Sequence, residues 1–437
     1  MSVQPVNYQD SPAASAIADA PPVAPGQLDI AIIGAGLVGL ATAAMLRKEG
    51  HRITIFESSS FHAEIGAGIV VPPNGVGVLN KMLPELNWDN MQTVDFRSVS
   101  TLSSTSCEFE AYAVDGTHML SDDISEAWRL YPQGWFCIHR VDMHKEIMRL
   151  ALDRNAMSLP PASIRLGAAI KSVNFDPARP SVTTTDGKEF TFDLVVGADG
   201  IKSTVRKCMV GSEYNAPPDE FAFYRWMIDL HAHPELAWIR DDRKSSGPTA
   251  IIRGAEFEGI FSYPLRRGDI INISAGHRDK RKERNDTEWN EDTPAEAFHE
   301  NFHDFCPKFM ALVNAAEAPR TWQLRKLPTL PTWTKGNVAI MGDAAHAMYP
   351  TYGQGLAIGM EDAGAMATLL PWGTKASDIP ARLRVFQEIR KPRAERVSLL
   401  SSRNQKTPQS EESHWIKPEL LGYDAVGVAK QALLSKA

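Results

Sequence analysis

Three glycines, Gly34, Gly36 and Gly39, spaced as GxGxxG, and a carboxylate at Glu57 have the types and spacing that hold a dinucleotide. The first glycine allows a tight turn, and the second lets the backbone approach a pyrophosphate. The third lets a helix pack on the preceding strand. A helix starting there offers amide donors and the positive end of its dipole to phosphates. Glu57 can accept from both ribose hydroxyls of an adenosine and would repel a 2′-phosphate. The ligand is therefore FAD or NAD.

This chemistry needs a strand before the turn and a helix after it. Residues 28–33 (LDIAII) form an apolar, β-branched run suited to a buried parallel strand. Good helix formers continue to Arg47 and Lys48, and Gly50 stands where a left-handed cap is wanted. A second strand over 52–56 delivers Glu57. Further apolar strands are expected at 192–196 and 337–341, running into Gly197-Ala198-Asp199-Gly200 and Gly342-Asp343, with a small-residue helix over 355–370. Ligands of open parallel sheets bind outside the carboxyl ends of the strands. Three Gly/Asp strand ends thus predict one extended ligand crossing the sheet. Between them the pattern predicts antiparallel strands over 94–136, a helix over 139–155, strand-like runs at 249–252, 259–263 and 270–274, and one helix near 294–315.

The bulk properties are compatible. The 437 residues are 43% hydrophobic and 23% charged, with a net charge of -7 and no basic block, which argues against nucleic acid as a partner. Cys107, Cys137, Cys208 and Cys306 show neither CxxC pairing nor metal-ligand spacing, so reduced thiols of an intracellular protein and no metal are expected. The first basic residue is Arg47, so residues 1–27 fit neither a secretory signal nor a transit peptide. They are expected to be a disordered tail on a cytoplasmic enzyme. No apolar run reaches the roughly 20 residues that span a bilayer.

Residues 193–206 (DLVVGADGIKSTVR) closely resemble the second fingerprint of the flavoprotein hydroxylases, and residues 336–363 (GNVAIMGDAAHAMYPTYGQGLAIGMEDA) are similar to the third. His139-Arg140 matches the position of the family arginine that reaches FAD, and residues 64–72 (EIGAGIVVP) look like the loop lining the isoalloxazine. These segments occur in family order across residues 28–400. The group they resemble is the salicylate-hydroxylase-like, single-component aromatic-ring monooxygenases, including fungal members that oxidise natural-product phenols.

The resemblance implies FAD as cofactor and NADPH or NADH as co-substrate. It implies an α/β fold like that of para-hydroxybenzoate hydroxylase, a Rossmann-like FAD-binding domain (28–93, 137–206 and 335–400) interrupted by a mixed β-sheet substrate domain with helices (94–136 and 207–334). Residues 401–437 would be a C-terminal extension. Beside Gly34, Gly36, Gly39 and Glu57, the FAD-facing residues would be Gly68, Val70, Arg140, Asp199, Asp343, Pro350, Gly353, Gly355 and Leu356. Asp343 can accept from ribityl hydroxyls, cap a helix, or both. Arg140 could instead form a salt bridge, and Asp199 could instead shape a turn. Pro350, Gly353 and Gly355 give a turn whose bare backbone can approach a flat ring. The next helix would aim its N-terminus at the flavin. Ala357 stands where many members place Asn, which leaves that contact to the backbone. His346 is expected to be structural.

The implied reaction is hydroxylation of a phenolic or enolic aromatic small molecule with O2, through a flavin C4a-hydroperoxide that needs a dry site. No second GxGxxG exists to hold the nicotinamide, which would bind transiently. A phenol reacts once its proton is lost or shared, so a base or a cationic donor is wanted. Arg225 resembles a position that holds a phenolate oxygen in some fungal members, with Tyr263 as a hydrogen-bonding companion. A surface salt bridge and a core tyrosine are the competing readings. Trp226, Arg253, His277 and Trp322 are further pocket candidates. Epoxidation of an olefin or heteroaromatic ring, an FAD oxidase or dehydrogenase, and a flavoprotein without turnover are the alternatives. The WxWxIP motif of flavin halogenases is absent.

Overall fold

The computed structural model describes residues 24–60, 67–95, 108–123, 129–236, 238–241, 248–253, 258–280, 290–406 and 417–435. Each apolar run that precedes a Gly/Asp element is a strand, and the three strands are neighbours. Leu194–Gly197 lies between Asp29–Ile33 and Val338–Ile340, all parallel, in a six-stranded sheet. Arg52–Phe56 and Ser163–Arg165 extend one flank, and Thr334–Lys335 closes the other antiparallel. Ile32 pairs with Val196 and Val196 with Ala339, so the three turns leave one edge of the sheet side by side. Ile30, Ile32, Leu194, Val196 and Val338 are fully buried. Burial on both faces is why these runs are continuously apolar instead of alternating.

The helix Leu37–Lys48 packs against both Arg140–Leu152 and Gln354–Leu369. Small residues set the second spacing. A β-carbon on Gly359 would lie 2.4 Å from Val38 Cγ2 of the Leu37–Lys48 helix, and one on Gly364 would lie 2.7 Å from Val78 Cγ1 of another neighbour, the helix Pro73–Met82.

Eight strands form the second large sheet, in the order Asn290–Asp292, Arg320–Arg325, Pro218–Asp229, Ile270–Arg278, Glu258–Leu265, Thr249–Arg253, Glu108–Ala113, His118–Asp123. Alternation divides its faces. Tyr224, Trp226, Ile228 and Ile273 point one way, into a core with Phe298, Phe302, Phe309 and Leu312. Phe223, Arg225, Phe261, Tyr263 and Ser274 point the other way, into a cavity. A three-stranded sheet of Gly68–Val71, Phe136–His139 and Val94–Asp95 stands opposite.

The single helix expected near 294–315 is two, Ala295–Glu300 and Pro307–Asn314. Pro307 lacks an amide donor and occupies the first turn of the second helix, where none is needed. Both helices bury phenylalanines against the same sheet, which imitates one continuous apolar face. Residues 1–23, Cys107 and the start of the 64–72 loop lie outside the described residues. Residues 24–27, expected in the tail, are held to the body, with Gln27 Nε2 donating to Gly50 O at 2.8 Å. Among the described residues no helix is long and apolar enough to cross a membrane.

Candidate active site

The three glycines of the first turn do different jobs. Gly34 has φ +101°, and a β-carbon there would meet Ala198 O at 2.5 Å. On Gly39 it would meet Gly34 O at 2.0 Å. Packing explains both. At Gly36, the residue capping the Leu37–Lys48 helix, a β-carbon would meet no atom within 4 Å among the described residues beyond its chain neighbours. Gly36 lines the cavity, so packing does not account for its bare backbone. Glu57 Oε2 accepts the Ala35 amide at 2.7 Å and Oε1 the Ser59 amide at 2.7 Å. Oε1 also accepts the Ser58 hydroxyl at 3.2 Å, so Oε2 is the oxygen that keeps acceptor capacity at the strand end where an adenosine ribose would lie.

At the second strand end, Asp199 turns inward. Its Oδ2 accepts the amides of Thr204 at 2.7 Å and Val205 at 3.1 Å. Burial pushes this carboxyl up, against Ser203 and those amides. The side chain shapes the turn, while its neighbour Gly200 lines the cavity. Arg206, fully buried, donates to Ile201 O, Tyr214 O and Ala344 O at 2.6, 3.0 and 3.0 Å, joining the second turn to the third.

The third turn presents Asp343. Gly342 has φ 57° and ψ -145°, and its amide donates to Asp362 Oδ2 at 3.0 Å. That oxygen also accepts His346 Nε2 at 2.6 Å, and Oδ1 accepts Arg390 Nε at 2.9 Å. Arg390 also pairs with Glu361 at 2.8 Å. His346 thus serves a buried network behind the turn. Asp343 faces the cavity, where its carboxylate meets no protein donor among the described residues. It is accessible from the cavity and otherwise surrounded by protein, and burial pushes its carboxyl up.

These elements enclose a cavity of about 470 Å³. Gly36, Gly68, Val70, Arg140, Asp343, Pro350, Gly353, Gly355 and Leu356 line it from the six-stranded-sheet side. Gly34, Gly39, Glu57 and Asp199 lie outside its lining. Gly353, at φ 62°, caps the Gln354–Leu369 helix, whose first turn faces the cavity. A β-carbon at Gly355, as at Gly36, would meet nothing within 4 Å. Two glycines that packing does not require, with an unpartnered carboxylate at Asp343, fit the pyrophosphate, ring and ribityl chain of FAD.

Across the cavity lie Arg225 and Tyr263. No carboxylate pairs with Arg225 among the described residues, and its Nε is buried without a partner. Its guanidinium lies 5.2 Å from the Trp322 ring centroid. Burial pushes its pKa down, which the proximity of Tyr263 opposes. Burial holds the Tyr263 phenol far above its ordinary range, so this hydroxyl donates and does not act as a base. The surface-ion-pair reading of Arg225 does not describe this arrangement. Trp226 and His277 point to the opposite face of the sheet, where Trp226 Nε1 donates to Leu312 O and His277 stacks on Tyr224 at 3.8 Å. Arg253 binds Asp304 at 2.5 Å. The residues that sequence patterns missed are Asn272, Ser274, Arg206 and Asp362. The last two sit inside the quoted fingerprints, but nothing in residue type marks them as supports.

Sheet topology, the glycine turn and this cavity are those of a flavoprotein whose cavity lies between two sheets. A family model described as an FAD binding domain matches residues 140–401, and one for an NAD(P)-binding Rossmann-like domain matches 32–62. The chain is 36% identical to hispidin-3-hydroxylase of Neonothopanus nambi, over 91% of this chain and 94% of that protein. It is 29% identical to a salicylate hydroxylase of Pseudomonas putida, over 85% and 83%. A solved salicylate hydroxylase substrate complex superposes with a TM-score of 0.74 at 23% identity, covering 93% of this chain and 98% of that one. CtdE in complex with FAD and a substrate superposes at 0.78 and 18%, covering 94% and 100%. The chain belongs to the FAD-dependent aromatic monooxygenases of the salicylate hydroxylase type.

Proposed function

We propose that this enzyme uses NAD(P)H and O2 to hydroxylate a phenolic or enolic ring held as its anion. The observation that carries the reading is Arg225, a half-buried cation whose buried Nε has no partner and which meets no carboxylate among the described residues, beside the Tyr263 hydroxyl on the wall facing the FAD side. The chemistry that bound FAD supplies is hydride acceptance from NAD(P)H and delivery of one oxygen atom of O2 to the ring. Gly34, Gly36, Gly39 and Glu57 would hold its ADP half, Asp343 its ribityl chain, and Gly68, Val70, Arg140 and the 350–356 segment its ring system. In this division, 28–93, 137–206 and 335–400 serve the cofactor, while 94–136 and 207–334 serve the substrate.

Arg225 does the work of ionisation. A desolvated cation stabilises a phenolate or enolate more than the neutral form, so the proton is left in water on binding. Tyr263, kept protonated by burial, donates to a substrate oxygen and fixes the orientation of the ring. Phe223 and Phe261 flank the site with apolar surface that excludes water. Similarity to hispidin-3-hydroxylase supports an enolic or phenolic ring as the acceptor.

The test is anaerobic stopped-flow absorbance of the holoenzyme with NADH or NADPH, with hispidin, salicylate and other phenols, followed by product mass. Ligand-dependent bleaching and a product heavier by one oxygen are expected. Bleaching by substrate without NAD(P)H would move the enzyme to the oxidases or dehydrogenases.

A further inference from the structure

Asn272 is 2% exposed and lies opposite both Tyr263 and Met227 in the eight-stranded sheet. It shares the face of Arg225 and Ser274. Its Oδ1 leaves that sheet to accept the Gly68 amide at 2.7 Å, a buried bond onto the Gly68–Val71 strand. Contact there is tight. A β-carbon on Gly68 would lie 2.6 Å from Asn272 Cγ and 2.7 Å from Tyr263 Cε2.

The carboxamide orientation follows from its partner, because an amide N–H needs an acceptor. Nδ2 is consequently buried with no partner among the described residues. Leucine in its place would orphan the Gly68 amide but would bury more apolar surface and no idle donor. One unpaired donor remains either way, so stability alone gives asparagine no clear advantage. What asparagine adds is direction.

We infer that Asn272 is a positioning residue that holds the cofactor wall at Gly68 and Val70 in register with the substrate wall at Tyr263 and Arg225. The inference rests on the monooxygenase reading above. Gly68 and Val70 line one side of the cavity, and Tyr263 and Arg225 the other. Oxygen transfer between two bound rings requires their separation to be held closely, and a misplacement of about 1 Å costs on the order of 100-fold in rate. Asn272 makes a direct, buried bond between the two walls. Its strand also carries Ser274 directly opposite Arg225.

The experiment compares holoenzyme with Asn272→Ala, Asn272→Leu and Asn272→Asp, the last keeping the acceptor oxygen. Three readouts are taken: hydrogen exchange across residues 67–72, the visible flavin spectrum, and hydroxylated product per NAD(P)H consumed with hispidin and salicylate as probes. Ala and Leu are expected to raise exchange at Gly68 about tenfold or more and to shift the flavin band. They should also lower product per NAD(P)H by roughly threefold to tenfold, the balance appearing as hydrogen peroxide. FAD stoichiometry should stay at the wild-type value, and Asp should restore much of the coupling. Should Ala fail to fold, Asn272→Ser carries the same comparison. Wild-type spectrum and coupling in Ala and Leu, with only a lowered thermal midpoint, would overturn the inference. If wild-type enzyme gives no hydroxylated product from either probe, the proposed hydroxylation of such anions fails, and exchange and spectrum alone decide whether Asn272 holds the cofactor wall.

Discussion

The buried carboxylate of Asp362 accepts the Gly342 amide at 3.0 Å, tying the long helix Gln354–Leu369 to the turn that carries Asp343 into the cavity. Burial alone would push this carboxyl up. His346, Arg390 and the Gly342 amide outweigh it and hold Asp362 below its ordinary range. The turn depends on a charge, and the charge depends on its partners.

Asp362→Asn should therefore destabilise the protein by about 3–5 kcal/mol, the usual cost of breaking a buried pair, and reduce FAD content. Urea denaturation and flavin absorbance per chain check this. A depressed carboxylate pKa means the stabilisation is present above the unfolded-state value of about 4 and lost as pH falls through the folded value. Wild type should thus lose stability in acid more steeply than the variant.

Glycine substitutions should separate folding from binding. Gly39→Ala drives a β-carbon into Gly34 O and should unfold the turn, whereas Gly36→Ala has open space in front of it. Gly36→Ala should leave the apoprotein within about 1 kcal/mol of wild type while weakening FAD binding markedly. Thermal melts of apoprotein and flavin-fluorescence titrations measure the two effects. Equal losses in both variants would sink the claim that Gly36 faces the ligand.

Much of this site was legible because its determinants are local. A glycine turn, its strand and its helix sit within 30 residues, and burial on both faces makes the three central strands plain apolar runs. The substrate wall was harder to see. Arg225 and Tyr263 share a face because the middle strand, Ile270–Arg278, aligns Ser274 with Arg225 on the distant strand Pro218–Asp229 and Asn272 with Tyr263 on the strand just before it. Register of that kind leaves no mark on residue type, so Trp226 and His277 stood beside Arg225 as pocket candidates although they point to the opposite face. Asn272 and Asp362 were invisible for the same reason. Their partners, Gly68 and Gly342, are backbone amides, which every residue except proline has.

Asp343→Asn should show a trade-off. Burial raises this carboxyl's pKa, so at neutral pH the folded apoprotein holds a charge that unfolding would relieve. The variant should be the more stable apoprotein at pH 7, with the gap closing as pH falls through the raised folded value toward about 4. Its FAD affinity should drop by roughly tenfold or more, as for loss of a charged hydrogen bond. Melts across pH and flavin titrations test both signs.

His139 gives a second pH signature. Burial, with Arg266 and Lys145 adding to it and Asp142 opposing, pushes the imidazole down to about 4. Its Nδ1 is buried without a partner. The unfolded chain binds this proton more tightly, so stability present above pH 6.5 should drain away between about 6.5 and 4. The loss should be on the order of 2–3 kcal/mol. His139→Gln should flatten that slope in urea denaturation followed across pH.

Arg225 yields the sharpest test of the proposed chemistry. Arg225→Met removes a half-buried cation that meets no carboxylate among the described residues, so the apoprotein should lose no stability and should gain some. Substrate binding should behave oppositely. In wild type, affinity for a phenol should rise with pH up to the phenol's own pKa, because the anion is the form Arg225 selects. In the methionine variant that rise should vanish or reverse, and affinity at the wild-type optimum should fall by roughly 100-fold. Tyr263→Phe removes a neutral hydrogen bond and should cost only about threefold to tenfold, with the pH profile kept. Thermal melts of the apoprotein check the stability, and difference-spectral titration of the flavin against a phenol series measures the affinities and their pH dependence. An unchanged pH profile in Arg225→Met would show that the substrate binds neutral and is ionised elsewhere.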